Sequence, residues 1–474
     1  MNEYSVLDGF VISNGRADGL SSTDDDKGGA IYIRSRGGFK FQNCEFVNNF
    51  GENGGAINIE SLFTIDSLKI SNVIFTNNEG ISGGGIYTSG GTTTIDSCDL
   101  SFNLATNSGG AIRHQFGKLA ISNSNFNGNS IFFDQSVSTD GGAISLRGEF
   151  DIDNCSFSSN GTDTLAIDGG ALAYFNRSGS ITNSTFINNV AKDNAGAIYG
   201  VGGDVLIDRC YFEKNRTGLS SQGGAILMKG NNTNRINNCI FFDNKTALNG
   251  GAISNGSDSN AAISNCTFYK NGSSGPGGAI FNIPDDSLSI VNCIFWDNSF
   301  PSGSEISGTT FDVLTNCIIQ GGLNQGPNTL VGTNILDVNP QFIDTIEASL
   351  NLSLQSCSPA IDAGDNIYVS SKFDYDQNPR FHNATGINFP MVDLGAYEFQ
   401  GGFDPGCSDC PQHLVLTGDI HSGVYEASSS VICNGTIVDG SSVMFSAPDS
   451  VVMQPNFDAG INTDLTILQD SCED

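Results

Sequence analysis

Positive charge is scarce in this chain of 474 residues, which has 20 Lys plus Arg against 51 Asp plus Glu and a formal net charge of −31. Such an excess repels phosphate backbones and anionic membranes, so nucleic acid is not an expected partner. Long apolar runs are missing too. No stretch approaches the roughly 18 residues that a membrane-spanning helix needs, and no long window shows an apolar stripe at helical spacing.

A secretory leader is also missing from the first ten residues, because no basic start precedes a long apolar run. These residues already lie inside the repeat described below, which predicts that the chain is N-terminally incomplete. What is abundant is glycine, with 59 residues. Together with the chain length, this indicates many turns and either several domains or a repeat array.

A repeat of about 27 residues runs through the first two thirds of the chain. Its first half reads Gly-Gly-Ala-Ile or a close variant. Copies begin at Gly28, Gly54, Gly83, Gly109, Gly141, Gly169, Ala195, Gly223, Gly250 and Gly277.

The second half of the repeat has a fixed spacing, as in Phe41, Asn43, Cys44, Phe46 and Asn49. Residues two apart share a face of a strand, so Phe41 and Cys44 both point inward only if the chain bends between them. Asparagine suits such a corner because it tolerates the left-handed conformation. Stacked coils should align the corner residues as a ladder: Asn43, Asn72, Asn123, Asn154, Asn183, Asn238, Asn265, Asn292 and Asn316.

These features predict an all-β, right-handed parallel β-helix (a pectin-lyase-like solenoid) of about 11–12 coils, stabilised by stacking. The inward position after the corner is cysteine in eight copies and Val or Ser in the others, which indicates a small packing group rather than a metal ligand. Its members are Cys44, Cys98, Cys155, Cys210, Cys239, Cys266, Cys293 and Cys317.

Five further cysteines lie outside this position. Cys407 and Cys410 have CxxC spacing with no second pair and no histidine partner, so we interpret them as disulfide-forming in an oxidising compartment, with Cys433 and Cys472 as further candidates.

The paired GGAI and FxxN repeats resemble bacterial polymorphic outer-membrane proteins and related β-helix passenger domains. This resemblance covers about residues 1–322 and implies an extracellular or cell-surface β-helix, often an adhesin. No C-terminal membrane barrel follows, so the sequence departs from that family.

The following segment resembles the choice-of-anchor Q region of secreted bacterial proteins through Asn339-Pro340-Gln341-Phe342, Ser358 to Asp365, Asn378-Pro379-Arg380 and Val392 to Glu398. That resemblance makes residues 323–400 a cap on the last coil. Residues 401–411 are interpreted as a linker. Residues 412–474, with Ser422 to Ala427 and Val443-x-Phe445-x-Ala447, resemble a small coathanger-stack β domain.

Two functions stay open. The preferred one is a monomeric, non-catalytic surface scaffold or adhesin that binds glycans or partner proteins through loops and an exposed strand face. The residue after each inward Ile should point outward, and this set holds several aromatic rings but only one charge. Its binding candidates are Tyr32, Tyr87, Arg113, Tyr199 and Phe281.

The alternative is a polysaccharide lyase or glycoside hydrolase with acids in the loops, since the outward strand positions offer no carboxylate. No cofactor or metal is expected, and nothing in the sequence supports calcium. The candidate loop acids are Asp24, Asp25, Asp26, Asp134 and Asp140.

Burial should keep the repeat cysteines reduced and unreactive, because an apolar environment disfavours the thiolate. Alkylation of the native protein followed by mass spectrometry tests this. We expect no labelling of Cys239 or Cys266 until denaturant is added, and fast labelling of either in the native state would contradict the prediction.

Overall fold

The computed structural model describes residues 5–19, 24–35, 38–61, 67–132, 139–162, 164, 167–219, 221–230, 232–283, 286–299, 305–308, 312–325, 328–382, 390–402, 413–420, 423–426, 430–438, 442–447, 450–455 and 457–468. In these ranges the regular structure is β, apart from short 3-10 turns at Asp24–Asp26, Glu347–Ser349 and Asn366–Tyr368. No helix among them has the length and apolar character needed to cross a membrane.

The repeat folds as the predicted parallel β-helix, with each coil pairing in register with the next. The Gly-Gly-Ala-Ile motifs form one parallel sheet of eleven strands, the GGAI sheet. Its strands are Ile31–Ser35, Ile57–Ser61, Ile86–Ser89, Ile112–His114, Ile144–Leu146, Leu172–Phe175, Ile198–Val201, Ile226–Lys229, Ile253–Asn255, Ile280–Asn282 and Ile306–Ser307.

The second half of each repeat forms two strands on either side of the corner. The strands before the corner are Ser5–Asp8, Phe39–Gln42, Ser67–Ser71, Thr92–Asp96, Lys118–Ser122, Glu149–Asp153, Gly179–Thr182, Val205–Asp208, Asn232–Asn237, Ser259–Ser264, Leu288–Val291 and Val313–Ile319. The strands after it are Val11–Ser13, Glu45–Val47, Ile74–Thr76, Asp99–Ser101, Asn125–Asn127, Ser156–Ser158, Thr185–Ile187, Tyr211–Glu213, Ile240–Phe242, Thr267–Tyr269 and Ile294–Trp296.

Short strands connect the strands after the corner to the GGAI sheet and close each coil. One set is Arg16–Ala17, Phe50–Asn53, Glu79–Ser82, Leu104–Ser108, Ser130–Ile131, Thr139–Asp140 and Ile167–Asp168. A second is Gly161–Thr162, Val190–Ala191, Arg216–Thr217, Lys245–Thr246 and Gly272–Ser273.

The paired glycines allow the tight turn into the GGAI sheet. Gly54 has φ +70°, and a Cβ on Gly55 would lie 2.1 Å from the carbonyl oxygen of Gly84 in the next coil. Any larger residue at Gly55 would therefore push the coils apart.

Inward side chains repeat from coil to coil and form continuous stacks. Phe157 and Phe186 stack with ring centroids 4.7 Å apart, and Phe268 and Phe295 are 4.6 Å apart. The eight repeat cysteines are buried and free, as predicted. Burial raises the pKa of Cys98 to about 11 and that of Cys155 to about 12.

The corner asparagines adopt positive φ, for example 53° at Asn72 and 50° at Asn154. They do not form one unbroken amide ladder. Asn72 donates to Asn43 and Asn154 donates to Asn123, but Asn123 and Asn183 donate instead to Asp96 and Asp153. The row faces solvent over these coils, so carboxylates can take the place of amides as acceptors.

The continuous ladder is formed by the other asparagine of the repeat, which is buried. Nδ2 of Asn160 donates to Oδ1 of Asn189 and to the carbonyl oxygen of Phe126, and Oδ1 of Asn160 accepts from the backbone N and Nδ2 of Asn129. This pattern joins Asn49, Asn78, Asn103, Asn129, Asn160, Asn189, Asn215, Asn244, Asn271 and Asn298.

Glu305 ends this buried ladder, since its carboxyl oxygens accept from Nδ2 and the backbone N of Asn298. Without Glu305, Nδ2 of Asn298 would keep only the Phe268 carbonyl oxygen as an acceptor, because the other acceptor of each ladder amide comes from the next asparagine on the C-terminal side. Burial raises the pKa of Glu305 to about 8.

Part of the segment predicted to cap the last coil does so: Thr333–Leu336 pairs parallel with Val313–Ile319, and Leu323, Leu330 and Ile335 join the end of the core. The rest of the segment packs against the outer face of the later coils. Outward positions there are apolar, and Ile240, Tyr269 and Ile294 cluster with Phe342 and Leu394. Corner asparagines of these coils hold the segment through three contacts: Arg380 donates to Asn238, Asn265 donates to the Asp393 carbonyl oxygen, and Asn292 pairs with the Asp365 backbone.

The segment also carries its own strands and a buried ion pair. Nη1 of Arg380 lies 3.5 Å from Oε2 of Glu398, and both side chains are fully buried. The strands are Asn324–Gln325, Asn328–Thr329, Thr333–Leu336, Phe342–Asp344 and Asn351–Leu354.

The C-terminal residues continue this cover, since His413–Ile420 pairs antiparallel with Thr333–Leu336, the strand that lies on the last coil. Two small parallel arrays follow. One contains His413–Ile420, Ser430–Ile437, Ser450–Met453 and Asp458–Ala459, and the other contains Gly423–Glu426, Ser442–Ser446 and Asp464–Leu468.

The disulfide prediction is wrong for Cys433, whose thiol is free and buried. Burial between the strands of the C-terminal arrays raises its pKa to about 12. Cys357, which was not among the candidates, is disulfide-bonded. Cys407, Cys410 and Cys472 lie outside the described residues.

Replacing a ladder asparagine should destabilise the β-helix strongly. Asn160→Ala removes the partners of several buried groups of Asn129, Phe126 and Asn189, each worth about 1–3 kcal/mol when unsatisfied. We expect a large fall in Tm. Asn154→Gly in the same coil is the control, because it keeps positive φ and loses one exposed hydrogen bond. Equal effects of the two variants would contradict the importance of the buried ladder.

Candidate functional site

The outward residues of the GGAI sheet form one register row along the β-helix axis. Tyr32 pairs with Asn58, Asn58 with Tyr87, and Tyr87 with Arg113. The row continues through Ser145, Ala173, Tyr199, Leu227, Ser254 and Phe281. The predicted binding residues therefore share one face of one sheet.

This face is less exposed than expected. Arg113 is 7% exposed and Tyr199 is 4% exposed, while Tyr32, Tyr87 and Phe281 are half-buried. Large side chains in neighbouring coils lie about 4.8 Å apart along the axis and cover one another. Polar and charged groups in the middle of the row are consequently held in a partly desolvated setting.

Two carboxylates border the row where the coil closes. Asp140 and Asp168 each precede the paired glycines, and they are register neighbours in adjacent strands. Burial and the neighbouring Asp168 charge raise the pKa of Asp140 to about 6. Burial also raises the pKa of Asp168, against the effect of Asn194, which donates to Oδ1 from Nδ2 at 2.9 Å and from its backbone N at 3.0 Å.

Two guanidinium groups lie on the same part of the face. Arg113 donates to the hydroxyl of Ser145, and Arg147 lies with its Cζ 4.8 Å from the ring centroid of Phe175. Burial and the nearby Arg147 charge lower the pKa of Arg113 to about 10. Among the described residues, neither guanidinium forms an ion pair within 4 Å.

Tyr199 links the carboxylates to a further cation. Burial and the adjacent Asp168 and Asp140 charges raise the pKa of its hydroxyl well above the usual value. Nζ of Lys229 lies 4.8 Å from the Tyr199 ring centroid. The two carboxylates therefore face a tyrosine and three cations, Arg113, Arg147 and Lys229, which lower the pKa of Asp140 without cancelling the effect of burial.

The N-terminal end of the same face carries a second charged group. Nζ of Lys27 lies 2.8 Å from Oε1 of Glu60, and the Tyr32 hydroxyl donates to Oε2 of Glu60 at 3.1 Å. Arg34 is the register neighbour of Glu60. We call the whole set the charged strip: Lys27, Tyr32, Arg34, Asn58, Glu60, Tyr87, Arg113, Asp140, Arg147, Asp168, Tyr199 and Lys229.

The expectation that this face lacks carboxylates and further cations is wrong. That expectation rests on the residues that flank each inward Ile. Asp140 and Asp168 lie five residues before the outward residue of their strands, and Lys229 lies two residues after that of its strand. The sequence did contain a signal for these residues. Each occupies a fixed position in the repeat, and its side chain faces the same way as that of Tyr32. Asp140 was a candidate, but as a loop acid.

Of the remaining candidate acids, Asp25 and Asp26 do not join the strip. Asp25 and Asp26 lie in the turn before the first GGAI strand, several coils from Asp140. Asp26 is buried beside Glu52, and burial together with the Asp26 charge raises the pKa of Glu52. The side chain of Asp24 and all of Asp134 lie outside the described residues.

Metal binding has no evident site in the part of the chain that the structure describes. No three His, Cys, Asp or Glu side chains there approach closely enough to hold an ion. The pair Asp140 and Asp168 supplies two carboxylates, but the groups around it are cations and Tyr199.

Comparison with known proteins supports the fold. Residues 142–339 match the family model described as "Right handed beta helix region". A solved structure titled "Structure of PL6 family alginate lyase AlyGC" is similar to this chain at 10% sequence identity and a TM-score of 0.34, covering 98% of this chain and 68% of that one. No curated protein matches the sequence. The family match and the coil-by-coil parallel pairing show that the chain is a right-handed parallel β-helix, as predicted.

Asp140 should make stability depend on pH. The folded protein keeps the Asp140 proton up to about pH 6, whereas an unfolded chain releases it near pH 4. Ionised Asp140 thus destabilises the fold above about pH 6, and this penalty disappears below about pH 4. Asp140→Asn should raise stability at pH 8 by on the order of 1–3 kcal/mol and leave it nearly unchanged at pH 4.

Thermal unfolding of wild type and variant at both pH values measures this effect. Asp258→Asn, at an exposed position of the β-helix, is the matched control. A loss of stability in Asp140→Asn at pH 8 would show that the ionised carboxylate is stabilising instead.

Proposed function

We propose that this protein is an extracellular β-helix that binds an anionic polysaccharide along the charged strip. The observation that carries the proposal is the pair Arg113 and Arg147, two neighbouring guanidinium groups on a partly buried face. Like charges placed close together without an ion-pair partner favour an anionic ligand, and guanidinium matches carboxylate and sulfate oxygens with paired donors.

The charge of the strip differs from that of the whole chain. Lys27, Arg34, Arg113, Arg147 and Lys229 are five of the chain's 20 cationic residues, whereas Glu60, Asp140 and Asp168 are three of its 51 acidic ones. Cations thus outnumber carboxylates on the strip, within a protein of net charge −31. The surrounding acidic surface would disfavour anionic ligands elsewhere and direct them to this face.

The shape of the strip fits a linear ligand. From the coil of Tyr32 to that of Lys229 there are seven coil intervals, or about 34 Å at roughly 4.8 Å each. The half-buried Tyr32 and Tyr87 lie along this line and offer ring surface for stacking on sugars. A polymer lying parallel to the β-helix axis would meet a cation or an aromatic ring in most coils.

A second candidate function is cleavage of the same ligand, favoured by Asp140 and Asp168. A carboxyl group with a pKa of about 6 can exchange a proton near neutral pH, as general acid–base chemistry requires. The hydroxyl of Tyr199 and the nearby guanidinium groups would then position the glycan and stabilise negative charge. In this reading Asp140 is the proton-transferring group, and Asp140→Asn abolishes product release while binding persists.

Binding of carboxylated, sulfated and neutral polysaccharides, measured by calorimetry with product release followed in parallel, tests the proposal. We expect wild type to prefer anionic glycans and to lose affinity as salt is raised. Arg113→Ala should weaken binding about tenfold or more, and Arg113→Lys should weaken it less. The control is Arg235→Ala, an exposed arginine before the corner of its coil.

Equal affinity for neutral and anionic glycans would contradict the proposed ligand class. Affinity unchanged in Arg113→Ala, or lost equally in Arg235→Ala, would contradict the proposed location.

A further inference from the structure

Asn58 lies near the N-terminal end of the charged strip and is unusual among the asparagines of the β-helix. It is fully buried, yet neither Oδ1 nor Nδ2 has a hydrogen-bond partner. Ladder asparagines such as Asn103 use both side-chain atoms, with Nδ2 donating to Phe75 and Asn129 and Oδ1 accepting from Asn78. A buried amide without partners destabilises a fold, so its presence needs a reason.

The fold itself does not require an amide at this position. Asn58 lies between the core residues Ile57 and Ile59 on an ordinary strand, so its side chain points away from the core. Its φ is not among the positive values that mark the corner asparagines. Other coils place Ser145, Ala173 or Leu227 in the same row, so the sheet accepts small, polar or apolar side chains there.

The neighbours of Asn58 are aromatic on both sides. Tyr32 and Tyr87 are its register partners in the preceding and following coils, and both are half-buried. Glu60 accepts from the Tyr32 hydroxyl and thereby fixes that ring. The Tyr87 hydroxyl makes no hydrogen bond to any described residue, so rotation of the Tyr87 ring requires only that packing contacts break.

We propose that Asn58 is a sugar-recognition residue whose amide pairs with the hydroxyl groups of one saccharide unit between Tyr32 and Tyr87. A saccharide ring has apolar C–H faces that stack on aromatic rings and an edge of hydroxyls that both donate and accept. An amide offers the matching donor and acceptor in one group. Rotation of Tyr87 exposes the amide, and the ligand then satisfies the groups that the free protein leaves unpaired.

This inference rests on the proposed function and adds a subsite to it, about two coils from Arg113 along the axis. It also predicts opposite effects on stability and on binding. Replacing Asn58 by an apolar residue should keep or raise the stability of the free protein, because an unpaired buried amide is removed. The same replacement should lower the affinity for the ligand, because the complex loses the hydrogen bonds of that amide. A residue that serves only the fold would not separate the two effects.

The test measures Tm and affinity for the anionic polysaccharide on wild type, Asn58→Leu and Asn58→Ala. We expect Tm to stay the same or rise in Asn58→Leu and affinity to fall about tenfold in both variants. Asn78→Leu, in the buried ladder, is the stability control and should lower Tm. Ser254→Ala, at the other end of the same row, is the binding control and should leave affinity unchanged.

Unchanged affinity in both Asn58 variants, alongside weakened binding by Arg113→Ala, would overturn the subsite and leave the proposed function intact. A fall of Tm in both Asn58 variants would overturn it too, since the amide would then be structural. If wild type binds no anionic polysaccharide, the proposed function and this inference both fail.

Discussion

The buried asparagine ladder is the constraint on which the β-helix depends. Every coil turns back on itself where Asn49 and its equivalents lie, and the turn leaves backbone groups inside the protein with no strand partner. Each amide satisfies such groups in the preceding coil, as Asn160 does for the Phe126 carbonyl oxygen and the Asn129 backbone N. Because one amide links adjacent coils, the ladder fixes their register and thereby the register of every row on the surface.

Because the coils stack in register, residues at one position of the repeat form a row on the surface. Residues about 27 positions apart in the chain become neighbours, so Arg113 lies beside Tyr87 and Asp140 beside Asp168. A charged side chain therefore has neighbours from the preceding and following coils that are distant from it in the sequence. The perturbed pKa values of Arg113 and Asp140 follow from this stacking, since burial by neighbouring coils is the largest cause of each.

The same outward positions serve a different purpose later in the chain. From Tyr211 onward the strands after the corner carry apolar residues such as Ile240 and Ile294, and the C-terminal segment packs on them. Corner asparagines that would otherwise meet solvent hold this segment, as Asn292 does with Asp365. The segment therefore covers the side of the later coils and, through Thr333–Leu336, the edge of the last one, and His413–Ile420 pairs with that strand in turn.

The path of each coil could be predicted from the amino-acid sequence. The spacing of Phe41, Asn43, Cys44 and Phe46 sets which side chains point inward and where the chain turns, because strand alternation and the left-handed tolerance of asparagine act within a few residues. It also identified the row of Tyr32, Tyr87, Arg113 and Tyr199, since those residues share one repeat position.

Only the tertiary structure decided which asparagine forms the continuous ladder, where the C-terminal segment lies and what surrounds Arg113. Asn43 and Asn49 look alike in the repeat, but one faces solvent and the other the interior. The charged neighbours of Arg113, namely Asp140 and Arg147, come from other repeat positions in the next coil, and their proximity depends on how the coil closes between Asp140 and Ser145. Such contacts between rows depend on loop geometry and burial, which a linear spacing does not contain.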